Sequence, residues 1–165
     1  MASLRALTGG LSTLGLSLAL TACVPSVGAG GSDDRAYETV IAAVIRAESD
    51  AGGRAFDVEI EDGTAQVHVA VDGRDTEVDV ELAGPTVTER HDDGDLDADD
   101  RTALDAASTT LADGIRIAAA AHGGGGDVSE VDLARGDDAA WRVEFTDGTT
   151  IAVAVSDGTV VRAGG

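Results

Sequence analysis

Residues 110–162 read TLADGIRIAAAAHGGGGDVSEVDLARGDDAAWRVEFTDGTTIAVAVSDGTVVR, and the division of this stretch decides the fold of the chain. Leu111, Ile115, Ala118 and Ala119 recur at spacings of three and four, the period of a helix with one apolar face. The block Gly123 to Gly126 ends that pattern, because glycine loses more backbone freedom in a helix than other residues do. Three apolar runs follow: Val128, Val131 and Leu133; Trp141, Val143 and Phe145; and Ile151, Val153 and Val155. Side chains along a strand point alternately to opposite faces, so each run predicts a strand with one apolar face. The order is helix, strand, strand, strand.

The same order is written upstream. Tyr37, Val40, Ile41, Val44 and Ile45 predict a helix over Arg35 to Asp50 with one apolar stripe, stopped by Gly52 and Gly53. Phe56, Val58 and Ile60, then Val67, Val69 and Val71, then Val78, Val80 and Leu82 predict three strands, closed by Gly84 and Pro85. Asp62-Gly63 and Asp72-Gly73 stand between them, and such pairs favour the type I′ hairpin turn, which needs positive φ at both central residues. Gly126 follows Gly53 by 73 residues and Asp147 follows Asp72 by 75, so the spacing is nearly constant. A steady period with turns in matching places points to duplication. The expected fold class is therefore α+β, a tandem repeat of a helix packed on a three-stranded antiparallel β-meander, with repeats at 35–90 and 110–165.

Residues 91–109 read as an acidic linker with a short helix near Thr102, capped by Asp99 or Asp100. Carboxylates are hard oxygen ligands for calcium, which makes Asp93, Asp95 and Asp97 weak metal candidates. The spacing is not that of an EF-hand: counted from Asp93, the sixth position is Ala98 and the twelfth is Leu104, where glycine and glutamate are needed. A solvated linker is the preferred reading.

At the amino end, Arg5, an apolar run through Leu14, Leu16, Leu18 and Leu20, and small residues before Cys23 have the layout of an export signal over 1–22. Leu20, Thr21, Ala22 and Cys23 resemble the lipobox of bacterial lipoproteins. That resemblance implies a diacylglycerol on the Cys23 thiol, cleavage before it, and a protein held on the outer face of the bacterial cell membrane. Residues 23–34 then form a flexible tether. Cys23 is the one cysteine, so no disulfide forms within the chain and no cofactor beyond the lipid is expected.

The formal charge is −20 in 165 residues, and all 11 basic residues are arginine. Long-range attraction to nucleic acid or to an anionic lipid surface is excluded as a mode of binding. No nucleophile stands beside a base: His68, His91 and His122 fall in three separate elements, which argues against an enzyme.

The apolar-acidic strand at Val131, Asp132 and Leu133, the strand from Trp141 to Phe145, the Asp147-Gly148 turn and the run through Gly158 to Val161 resemble a PepSY domain. The likeness covers Thr110 to Arg162 well and Arg35 to Val87 less well. It implies a helix on an antiparallel sheet, no catalytic residues, and a role in binding, modulating or inhibiting an exported protein or peptidase. The expected contact surface is the polar sheet face, at Glu59, Glu61, Glu77, Asp79, Glu81, Arg142 and Glu144. An acidic cation-binding or structural envelope lipoprotein is the alternative.

Overall fold

The computed structural model describes residues 36–123, 126–136 and 138–161. The expected signal, Cys23 and the tether lie outside the described residues. The first helix, α1 (Ala36–Ala51), leads into four strands: β1 (Arg54–Glu61), β2 (Thr64–Val71), β3 (Arg74–Glu81) and β4 (Thr86–Asp95). Two helices follow, α2 (Ala98–Ala106) and α3 (Leu111–His122), and then β5 (Val128–Ala134), β6 (Ala140–Phe145), β7 (Thr150–Ala154) and β8 (Val160–Val161). All eight strands join one antiparallel sheet in the order β4-β3-β2-β1-β5-β6-β7-β8. The class is α+β.

Each helix begins and ends where its side chains allow. The Thr110 hydroxyl accepts the Asp113 N–H at 3.1 Å and donates to the Asp113 carboxylate at 2.8 Å, a reciprocal cap that satisfies an otherwise unpaired amide of α3. After α1, Gly52 takes φ 79°. Gly53 passes so close to β2 that a Cβ there would lie 2.2 Å from the Ala70 carbonyl oxygen. The hairpin turns at Asp62-Gly63 and Asp72-Gly73 have positive φ at all four residues, as a type I′ turn requires.

One face of the sheet carries α1, lying over β2 and β3, and α3, lying over β6 and β7, and the two helices touch. Beneath them runs a cross-strand row, Val78, Val67, Val58, Val131 and Val143, each fully buried. Trp141 and Phe145 fill the space under α3, with the indole N–H donating to the Thr109 carbonyl at 3.1 Å. Burying each large side chain of this kind contributes about 1.5–3 kcal/mol. Gly114 faces that indole, and a Cβ there would meet Trp141 Cδ1 at 2.7 Å, so glycine lets the helix approach.

Several sequence expectations change. Each half has four strands, not three, because β4 and β8 pair outside the predicted meanders. The expected acidic linker is strand up to Asp95, and the short helix starts at Ala98 with Asp97 as its cap, accepting the Asp99 N–H at 2.8 Å. Ile45 leaves the apolar stripe and is 49% exposed. At roughly 100° per residue it lies a full step around the helix from Val44, which faces the sheet. The halves meet at β1 and β5, where Val58 pairs with Val131 and Glu59 with Glu130.

Candidate functional site

Among the described residues, the sheet's other face bears no helix. Strand alternation places on it the residues next in line to the buried valines. One row crosses seven strands: Glu89, Asp79, Gln66, Glu59, Glu130, Glu144 and Thr150. Within it Asp79 faces Glu89, Glu59 faces Glu130, and Glu130 faces Glu144, and like charges directly opposite each other cost stability. A flanking row runs His91, Glu77, His68 and Asp57, and on the far side Glu81, Thr64 and Glu61 form another.

All seven residues predicted as a contact surface share this face. Glu59, Asp79 and Glu144 lie in the long row, Glu61 and Glu81 flank Thr64, and Glu77 stands beside His68. Arg142 is bound across the strands to Asp132, at 2.6 and 2.8 Å, which uses much of its charge locally. Sequence reading left out Glu130, Asp132, Asp75 and Glu89, whose place on the face depends on strand register. One Asp79 oxygen, Oδ1, is buried with no hydrogen-bond donor among the described residues.

The electrostatics peak beside His68. Burial pushes the Asp57 carboxyl up to about 7, a rise that His68 opposes and that Asp132, Glu130 and Glu59 reinforce. Burial pulls the His68 imidazole down, but its hydrogen bond to Asp75 and the charges of Asp75, Asp57 and Glu77 outweigh this and leave it above its ordinary value. His68 Nδ1 lies 3.0 Å from both Asp75 oxygens and 3.7 Å from Asp93 Oδ2, while Nε2 lies 3.7 Å from Glu77 Oε2. The Phe56 ring stands tilted against this imidazole at 5.9 Å.

Asp93, Asp95 and Asp97 part company. Asp75 pairs with Gly94 and Thr76 with Asp92, so Asp93 is the extra residue of a bulge and turns toward His68. Asp95 lies 3.3 Å from the Arg74 guanidinium, and Asp97 caps α2. His91 lies 3.1 Å from Glu89, and His122 stacks on Phe145 and lies 3.1 Å from Asp147.

A separate cleft of about 790 Å³ lies between α2, the β5–β6 connection and the end of β7, lined by Thr102, Ala106, Arg135, Asp138 and Ser156 among others. Arg135 there is engaged by buried Asp100, at 2.7 Å for Nη2 to Oδ2.

Among the described residues no helix is long and apolar enough to cross a membrane. No protein-family model matches the chain, and no curated protein matches it. A solved structure, that of a candidate lipoprotein from Clostridium difficile, is similar over 81% of this chain and 94% of that chain, at 17% sequence identity and a TM-score of 0.44.

Proposed function

We propose that this chain is a non-catalytic, lipid-anchored module of the bacterial cell envelope that docks a cationic exported protein or peptide on the open face of its sheet and thereby modulates it. The observation that carries the reading is the long row, in which carboxylates face carboxylates across three strand pairs. A fold gains nothing from such repulsion, and local rules of this kind are broken where function requires it. Lysine or arginine side chains laid across the row would relieve the repulsion.

Three further points support the reading. The Leu20 to Cys23 motif supports a position at the membrane surface on the exported side. Val58 pairs with Val131, 73 residues on, the offset that separates Gly53 from Gly126. We therefore take the halves as two copies of one unit, a helix with four strands, related by a pseudo-two-fold axis at this pair. The likeness of Thr110 to Arg162 to a PepSY domain fits a binding and regulating role, an exported peptidase being one partner of that class.

The test starts with crosslinking in membranes and identification of the captured partner by mass spectrometry. Replacing Glu59, Asp79 and Glu81 by Lys should slow its association by about tenfold or more, and added salt should weaken capture by the unaltered protein. Capture unaltered by the charge reversal would refute the proposed surface.

A further inference from the structure

We propose that His68, Glu77 and Asp93 form a binding site for a divalent cation of the zinc class, with Asp75 holding the imidazole in place. The inference goes beyond docking and rests on groups outside the long carboxylate row, with Glu77 alone shared with the expected contact face. One donor atom from each of the three residues lies within 4.8 Å of the other two. They come from three adjacent strands, β2, β3 and β4, whose ladders fix their relative positions. The bulge is what delivers Asp93. In a regular ladder the residue between Asp92 and Gly94 would have a partner on β3; here it has none, and its carboxylate turns toward His68.

The chemistry of the set selects the ion. Oxygen donors alone suit calcium or magnesium, whereas an imidazole joined to two carboxylates suits zinc and its neighbours. An imidazole binds metal through an unprotonated nitrogen, and the other nitrogen usually donates to a carboxylate that fixes the ring. Both Asp75 oxygens lie 3.0 Å from Nδ1, so Nδ1–H donates to Asp75 and leaves the Nε2 lone pair on the side of Glu77. Asp93 Oδ2 stands 3.7 Å from Nδ1, and its partly exposed side chain turns to meet an ion held at Nε2. The three side chains are partly exposed, at 28, 24 and 40%, so an ion can enter from solvent. Three protein donors leave a fourth, tetrahedral position for water.

Zinc titrated calorimetrically into the purified full chain should bind at one ion per chain. His68→Gln should abolish saturable binding, and Asp75→Asn should weaken it about 10- to 100-fold, the usual effect of removing such an orienting partner. The Asp95→Asn and Asp97→Asn double variant, which removes two nearby negative charges but no proposed ligand, should bind as the parent does. Cobalt(II) loaded in place of zinc should show the intense visible absorption of a four-coordinate ion. Trp141 emission reports on folding; if His68→Gln disturbs it, Glu77→Gln and Asp93→Asn take its place and should each weaken binding at least tenfold. Absence of saturable zinc uptake, zinc affinity unchanged in the ligand variants, or calcium bound as tightly as zinc would each overturn the assignment. No partner protein enters this assay, so its failure is separate from failure of the docking proposal.

Discussion

Asp57 is the residue at which the open face costs the fold most clearly. Its carboxyl is held near 7 against an ordinary 3.8, with burial as the first cause. Below the unfolded value both states hold the proton. As pH rises from about 4 to 7 the unfolded chain releases it first, so folding stability falls, and above 7 the full penalty is present. His68, also raised, adds stability that is present below 6.5 and lost as pH climbs through its folded value, so both groups favour mild acid. Asp57→Asn should therefore be more stable than the parent at pH 8, by about 1–3 kcal/mol after allowance for partial exposure, and the gap should narrow at pH 5. Urea unfolding at the two pH values measures it. Other single residues were readable directly: Trp141, Val143 and Phe145 alternate with charged neighbours, and all three are buried. Ile45 was not, because apolarity alone does not say which side of a helix edge a residue takes. Gly114 was invisible for the opposite reason, since its role is to leave room for an indole that sits far away in sequence.

The elements that the sequence concealed are those without an apolar face. β4 has Val87 as its one large apolar residue, and as an edge strand it is held by its ladder to β3 and by Arg74, which binds Asp92 at 2.6 Å and reaches Asp95. Period-two patterning cannot reveal a strand that is wet on both sides. β8 has two residues, too short for any period. The register that joins β1 to β5 is likewise a long-range choice. α2 was foreseen near its true place, but Asp100, taken as a possible cap, is buried and bound to Arg135 at the end of β5. That pair fastens the connecting helix to the second half. Arg135→Ala leaves a buried carboxylate without its cation and should cost about 2–3 kcal/mol, below the usual range for buried pairs because the arginine is half exposed. Adding Asp100→Asn should restore part of the loss, and thermal melts of the three variants distinguish this coupling from simple loss of packing.

For the whole molecule, charge and patterning foretold an acidic face opposite an apolar one, and all seven expected contact residues share it. Asp93, Asp95 and Asp97 read from the sequence as weak metal candidates in what was preferred as a solvated linker; His68 and Glu77 come beside Asp93 only through strand pairing, which no local spacing encodes. How the module is held at the membrane under our proposal is testable at this scale. The full chain made in a bacterial host should enter the detergent phase on Triton X-114 separation, and Cys23→Ala should shift it to the aqueous phase, since acyl chains contribute about 0.8 kcal/mol for each buried methylene. Equal partition of the two would refute lipidation at this cysteine. The seam at Val58 and Val131 carries one more implication. On the duplication we propose, each half offers the other its own counterpart residue there, which is the arithmetic of a self-complementary interface. A half set free of its neighbour would keep an unpaired β1 edge that matches itself, so the covalent link through α2 converts what would be a concentration-dependent homodimer into a unimolecular fold.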